Sequence, residues 1–323
     1  MSTTYLEAIR EGLMEEMERD PDVFLIGEDI GVYGGAFKVT AGILDKFGSQ
    51  RVVDTPISES AIIGAAIGAG LMGLRPVAEM QFSDFITCGF DQIVNFAAKT
   101  RYRWGASVPI VVRAPSGGGI HGGPFHSQNP EMWFVRTPGL KVVAPATAYD
   151  AKGLIKSAIR DNDPVIFFEH KALYRRIKED LPEGEYTVPI GEARVYRQGT
   201  DLTIVTYGAM VYVAQEAAEK LAAEGISIEI IDLRTLLPLD EATVLTSVKK
   251  TSKVILLHED TLTGGLAGEL SARITEKAFE YLDGPVLRIT APDTPVPYSP
   301  PLEEAFLPNV SKVVDKARWL YRY

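Results

Sequence analysis

Apolar and polar positions alternate between two periods along almost the whole chain. Short apolar runs of strand length are separated by longer stretches with helical spacing, the pattern of an α/β protein with largely parallel sheets. The spacing predicts a first helix from Thr3 to about Arg19, capped by Ser2 or Thr3, with Leu6, Ile9, Leu13 and Met17 on one face. Strands are expected at 23–26, 51–53, 76–80, 110–113, 141–144 and 165–168, and helices at 58–73, 84–103 and 147–160. The pattern then breaks in KALYRRIKEDLPEGEYTVPIGEARVYRQG, 171–199, a charged stretch with two prolines and no helical period, which reads as a linker. A second α/β series follows, with strands at 202–206, 226–231, 254–257 and 286–289 and helices at 211–224, 240–249, 265–281 and from about 309 onward. The expected division is therefore a domain at 1–185 and another at 186–323.

Composition narrows the class without changing that picture. With 323 residues, 46% hydrophobic and 24% charged, the chain excludes disorder, collagen and coiled coil and suits about two domains of ordinary size. The single cysteine, Cys88, allows neither an internal disulfide nor a cysteine-based zinc cluster; it follows an apolar segment and is expected to be buried. The N-terminus is charged from Glu7 onward and no stretch approaches a membrane span, so the expectation is a soluble, cytoplasmic protein. A formal net charge of -10 argues against nucleic acid and anionic lipid as partners and favours a basic protein surface.

Candidate chemistry collects at the predicted carboxyl ends of the N-terminal strands. The segment SESAIIGAAIGAGLMG contains a formal G-x-G-x-x-G at Gly68, Gly70 and Gly73, but it lies late in a helix that Ser58 is expected to cap. Close packing through Ala61, Gly64, Ala65 and Gly68 accounts for it better than a dinucleotide. Glu59 falls in the first turn of the same helix, where a carboxylate either complements the helix N-terminus or faces a ligand. Glu28 follows one strand, and Gln81 and Phe85 follow another, so all gather where parallel sheets place their ligands. The loop APSGGGIHGGPFHSQNPE, 114–131, holds His121 and His126 among glycines, and is either an approach to a ligand or a plain surface loop.

Longer motifs carry a resemblance. GEDIGVYGGAFKVT (27–40), DTPISESAIIGAAIGAGLMGLRPVAEMQFSDF (54–85), FDQIVNFAAKTRYRWG (90–105), HSQNPE (126–131), the stretch from PGLKVVAPATAYD to FFEHKALYR (138–175) and IDLRTLLPLD (231–240) resemble one family nearly end to end. It is the beta subunit of the thiamine-diphosphate-dependent, decarboxylating first component of 2-oxo acid dehydrogenase complexes. The resemblance implies a pyrimidine-binding N-terminal domain and a transketolase-like C-terminal domain. It also implies that Glu59 is the catalytic glutamate hydrogen-bonded to the pyrimidine ring, and that His126 is the active-site histidine on the substrate side. Glu28, Ile57, Ser58 and Gln81 would line the cofactor pocket, with Phe85 stacking on the pyrimidine where some relatives carry tyrosine. Ile110, Ala158, Ile159, Asp161 and Asp163 match the family's structural monovalent cation site, potassium in this reading, although the last position is often asparagine.

The resemblance further implies a lipoyl acceptor, branched-chain 2-oxo acids slightly ahead of pyruvate as substrate, and docking on the subunit-binding domain of a dihydrolipoyl acyltransferase. An acetoin dehydrogenase beta subunit and a non-catalytic assembly subunit are the alternatives. Enzymes that hold the diphosphate through magnesium usually carry Gly-Asp-Gly and paired asparagines, and the chain has neither; its asparagines, Asn95, Asn129, Asn162 and Asn309, are scattered. The magnesium and diphosphate half is thus expected from an alpha subunit, in an α2β2 tetramer.

Overall fold

The structure, a computed structural model, describes residues 2–323, which divide into two compact units. The first holds the residues up to Ser116, then Trp133–Ile190 and Leu236–Pro238; the second holds Gly117–Met132, Gly191–Thr235 and Leu239–Tyr323. In chain order the N-terminal elements are β1 (Ser2–Thr4), α1 (Tyr5–Arg19), β2 (Val23–Glu28), α2 (Ile43–Phe47), β3 (Val52–Thr55), α3 (Glu59–Leu71), β4 (Arg75–Glu79), α4 (Ala98–Trp104) and β5 (Val111–Ser116). They continue with α5 (Glu131–Val135), β6 (Lys141–Val143), α6 (Ala148–Arg160), β7 (Val165–His170), α7 (Leu173–Arg176) and β8 (Lys178–Asp180). The remaining elements are β9 (Arg194–Arg197), β10 (Leu202–Thr206), α8 (Met210–Ala222), β11 (Ile228–Asp232), β12 (Thr235–Leu237), α9 (Glu241–Thr251), β13 (Val254–Thr261), α10 (Leu266–Ala278), β14 (Leu287–Ala291), α11 (Pro300–Phe306) and α12 (Val310–Arg322).

The first unit is built on a sheet of order β12-β6-β7-β5-β4-β2-β3, whose pairings from β6 to β3 are all parallel. Strands such as β7, VIFFEH, are buried at every position, as expected of a parallel sheet covered on both faces. Helix α1 begins with a capping box, Thr4 accepting from the Glu7 amide at 3.1 Å while the Glu7 carboxylate takes the Thr4 amide at 2.8 Å. It packs on α6 at Gly12, where an added Cβ would lie 2.5 Å from Ile155 Cγ2. Lys152, Lys156 and Arg160 of α6 then pair with Glu11, Glu15 and Glu16 of α1 along the contact. The cap is Thr4, one or two residues beyond the expected Ser2 or Thr3.

Several expectations differ locally from what the structure shows. The single helix expected at 84–103 is a 3₁₀ turn (Ser83–Gly89), a π turn (Gln92–Ala97) and α4, because Gly89 is pressed onto α3 with room for no side chain, a Cβ there reaching Ile63 Cγ1 at 2.9 Å. The three-residue period of the 3₁₀ turn points Ile86 and Gly89 inward and leaves Cys88 exposed rather than buried. Within the chain the tight approach of α3 is at Gly70, against Ile110 and Pro109, while Ala61, Ala65 and Gly68 of the small-residue face are exposed. The expected linker is partly structured, since β8 pairs antiparallel with β1 and β9 joins the second sheet.

The second unit carries a sheet of order β14-β13-β10-β11-β9, parallel apart from β9. Ile204, Ile228, Ile230, Ile255 and Leu257 bury one face with Ala214, Ala217 and Leu221 of α8 and Val313, Ala317 and Leu320 of α12. Among the described residues no helix is long and apolar enough to cross a membrane.

Candidate functional site

In the first sheet β2 is flanked by β3 on one side and β4 on the other, with Glu28 opposite Thr55 and Gly27 opposite Glu79. The connections leaving these strands diverge around β2, which opens a crevice at their carboxyl ends. Glu28, the last residue of β2, is buried, and its Oε1 accepts the Ser58 amide at 3.3 Å. Burial raises its carboxyl above the ordinary range; the Ser58 amide opposes this, and the neighbouring carboxyls of Glu59 and Asp29 add to it. Asp29, held at φ 57°, accepts from Gln81 Nε2 at 3.1 Å, so Gln81 closes the cluster from β4. Glu59 opens α3. Ser58 stands at the N-cap of that helix as expected, its carbonyl accepting the Ile62 amide at 2.9 Å, but its hydroxyl donates to the Pro56 carbonyl at 2.9 Å rather than accepting from a helix amide. Ile57 is 83% exposed, an apolar side chain with no cover in this chain. Phe85, in the 3₁₀ turn after β4, meets Phe82 edge-on with ring centres 5.8 Å apart. A crevice lined in this way can supply a carboxyl that keeps its proton unusually high, a carboxamide and apolar faces.

Beneath the crevice lies a charged cluster that sequence reasoning missed. Arg113 of β5, 1% exposed, donates to both oxygens of Glu169 at 2.6 and 2.8 Å and also pairs with Glu79, while the Tyr174 hydroxyl donates to Glu169 at 2.7 Å. Burial raises the Glu79 carboxyl and Glu169 adds to that, against the pull of Arg113. Gly35, at φ 81°, sits so near that a Cβ would approach Glu79 Oε1 at 3.3 Å. The signal was present in the sequence as an arginine inside the apolar run PIVVRAPS. Asp29 was missed likewise, though it adjoins Glu28 in GED.

His126 lies on the segment grouped with the second unit, so the structure gathers Glu28, Ile57, Ser58, Glu59, Gln81 and Phe85 in one unit and His126 in the other. The His126 amide donates to the Gly123 carbonyl at 3.4 Å, and the loop is closed by the Gly117 amide on the Gln128 carbonyl at 3.2 Å. His121, at φ 59°, faces Glu303 with Nδ1 2.7 Å from Oε2.

The candidate cation ligands fall around the end of α6. The carbonyl of Ile110 accepts from the Val165 amide at 3.0 Å and that of Ala158 from the Asp161 amide at 3.3 Å. Arg75 donates to the carbonyls of Ile159 and Asp161, both at 2.9 Å. Lys141 lies 2.5 Å from Asp161 Oδ2, and Asp163 pairs with Arg101. Three protein cations thus already share this donor set. Among the described residues no group of three or more His, Cys, Asp or Glu is arranged to hold a metal ion.

Residues 1–177 match the family described as the transketolase pyrimidine-binding domain, and residues 191–313 match the transketolase C-terminal domain. The class is therefore a two-domain α/β protein of transketolase type, with a pyrimidine-binding fold under the carboxyl-lined crevice. The 2-oxoisovalerate dehydrogenase subunit beta of Bacillus subtilis (strain 168) is 50% identical over 325 residues, covering 99% of each chain. The pyruvate dehydrogenase E1 component subunit beta of the same organism is 46% identical, covering 98% of this chain and 97% of that one. The chain belongs to the family of beta subunits of the 2-oxo acid dehydrogenases, a thiamine-diphosphate-dependent family. A solved split-gene transketolase, described as an inactive beta4 tetramer, shares the fold with a TM-score of 0.81 at 22% identity, over 100% of this chain and 99% of that one.

Proposed function

We propose that this chain is the catalytic beta subunit of a component that oxidatively decarboxylates a 2-oxo acid and passes the acyl group to a lipoyl acceptor. Branched-chain 2-oxo acids are placed ahead of pyruvate and acetoin. The observation that carries the reading is the carboxyl cluster of Glu28, Asp29 and Glu59 at the ends of β2 and β3, closed by Gln81. That cluster fits an aminopyrimidine, which offers a ring nitrogen to a protonated carboxyl and two flat faces to Ile57 and Phe85. When bound, thiamine diphosphate supplies a nucleophilic thiazolium carbon that attacks the 2-oxo group.

In this reading Glu59 holds the proton at the pyrimidine nitrogen. Glu28, its carboxyl raised by burial, fixes the Ser58 amide and with it the entry to α3. Ile57 and Phe85 exclude water from the ring faces, and His126 moves a proton on the substrate side. The lead given to branched-chain acids rests on 50% against 46% identity. A non-catalytic assembly role leaves the acid cluster around the buried Glu28 without a purpose.

The same reading assigns the pyrimidine domain to 1–185 and the transketolase C-terminal domain to 186–323. It gives magnesium and the diphosphate to an alpha subunit in an α2β2 tetramer, and the exposed Ala61, Ala65, Gly68 and Met72 of the α3 region suit close subunit packing. It also gives docking of the acyltransferase to the acidic C-terminal domain. Potassium on Ile110, Ala158, Ile159, Asp161 and Asp163 would have to share oxygens with Arg75, Arg101 and Lys141, so it can add stability but no chemistry. The test is carbon dioxide release by the component reconstituted with its alpha subunit, given 2-oxoisovalerate and pyruvate side by side. The expected kcat/KM favours 2-oxoisovalerate by roughly tenfold or more, as pocket discrimination by a few carbons allows; a preference for pyruvate reverses the substrate assignment.

A further inference from the structure

In the second unit β10 has β11 on one side and β13 on the other, so its sheet also has a divergence point, between the carboxyl ends of β10 and β13. Open α/β sheets place ligands there. Here the chain's own glycine-rich loop supplies the occupant. Along it the left-handed residues Gly117, Gly119, His121 and Gly123 alternate with ordinary ones, at φ 85°, 77°, 59° and 68°. Such alternation turns successive amide groups toward one side and makes a concave site for an anion.

Two carboxyl groups fill that concavity. Glu259, near the end of β13, accepts the Gly118 amide at 2.5 Å and Asn129 Nδ2 at 3.1 Å. Glu303, 1% exposed on α11, accepts the amides of Gly119 at 3.0 Å and His121 at 3.1 Å and faces the His121 ring. Gly118 lies between them: a Cβ would stand 3.2 Å from one carboxyl and 3.3 Å from the other. At Gly123 a Cβ would enter the Tyr298 ring. The loop is therefore gripped on both sides of His126, before it at 118–121 and after it at Asn129.

We propose that Glu259 and Glu303 are positioning residues for His126, so that the C-terminal domain, beyond any part in assembly, sets the geometry of the acid–base loop. This rests on the reading of His126 given above. A histidine that transfers protons must be held within fractions of an ångström, and a loop of this glycine content has no rigidity of its own.

The test uses the component assembled with its alpha subunit and compares wild type, Glu303→Gln, Glu303→Asp and His126→Ala. Glutamine keeps the shape and one acceptor but turns an amide donor toward either the Gly119 or the His121 amide. Loss of a charge-assisted grip predicts about tenfold faster amide exchange confined to peptides covering 117–125, and kcat for lipoyl acylation lower by about tenfold. KM for the 2-oxo acid and thiamine diphosphate affinity should stay near wild type, and Glu303→Asp should recover part of both losses. If Glu303→Gln does not assemble, Glu259→Met removes the other acceptor at similar volume and is read the same way. Unchanged exchange at 117–125 overturns the proposal. Faster exchange with unchanged kcat also overturns it; if His126→Ala then turns over normally as well, the fault lies in the role given to His126, and if His126→Ala is impaired it lies in the grip.

Discussion

The carboxyl edges of the two sheets are built alike and used differently. Each has a strand, β2 or β10, with parallel neighbours on both sides, and each gathers acidic residues at the divergence point. At the second edge Glu259 and Glu303 accept backbone amides from the chain's own loop, so acceptors and donors are matched inside the molecule. At the first edge Glu28, Asp29 and Glu59 lie together; among the described residues Glu28 accepts the Ser58 amide and Asp29 accepts from Gln81, and Ile57 stands uncovered. Burying the Glu28 carboxyl beside two other acids costs folding free energy, and such a cost persists where a ligand completes the site. Topology makes the crevice in both cases; whether it binds anything from outside depends on whether the chain fills it.

The test with the largest expected effect asks whether the first edge is half of a shared site. Purified alone, the chain should release no carbon dioxide and bind thiamine diphosphate with magnesium far more weakly, by calorimetry, than after its alpha subunit is added. Tight binding and turnover by the lone chain would mean that a diphosphate site exists here without Gly-Asp-Gly. Next in size, Glu59→Gln in the assembled component should lower decarboxylation by about 10²–10⁴-fold, the range for a positioned proton-transfer group, with assembly and melting temperature unchanged. Near-normal carbon dioxide release would leave the first edge a mere acidic surface. Smaller again, His126→Ala should slow acyl transfer to the lipoyl domain by about 10²-fold with unaltered cofactor affinity, measured by single-turnover lipoyl acylation.

How much of this was legible in the chain follows from what each signal depends on. The parallel strands of both sheets were readable because such a strand is apolar throughout, and β10 falls at 202–206 as expected, whereas the short edge strands β9 and β12 were not. The split of 83–104 was not, since it follows from Gly89 meeting Ile63 of another element, and contact between elements leaves no periodic trace. At the site, Glu28, Glu59 and Gln81 were visible as polar residues straight after strands. Asp29, Arg113 and Glu169 were harder to see: Asp29 was hidden by its neighbour Glu28, and the other two lie inside apolar runs where their partners come from other strands. The grip of Glu259 and Glu303 on the loop spans 141 and 184 residues, beyond the reach of local pattern.

The smallest expected effect sharpens the comparison from the second edge. Asp260, next to Glu259, has its carboxyl raised to about 6 by burial, with Glu259 and Asp293 adding to it and the Thr261 amide and hydroxyl opposing. Two residues earlier His258 is pushed down to about 4, again by burial. The two act on stability with opposite sign. Between pH 3.8 and 6 the folded chain holds a proton on Asp260 that the unfolded chain has lost, so stability falls as pH rises through that window. Between pH 4 and 6.5 the unfolded chain holds a proton on His258 that the folded chain refuses, so stability falls as pH drops. In the wild type the slopes largely cancel. Asp260→Asn keeps a carbonyl oxygen for the Thr261 amide and removes one slope, so it should raise stability by about 1–3 kcal/mol above pH 6, with the gain vanishing near pH 4. Urea melts of both proteins from pH 4 to 8 measure it. Glu28→Gln at the first edge should likewise relieve a buried, raised carboxyl and stabilise the fold, but at the expense of decarboxylation, whereas Asp260→Asn should leave turnover intact. If Asp260→Asn stabilises nothing, the second edge is not a matched structural acid set; if it abolishes turnover, the two edges do not divide the work as their hydrogen bonds indicate.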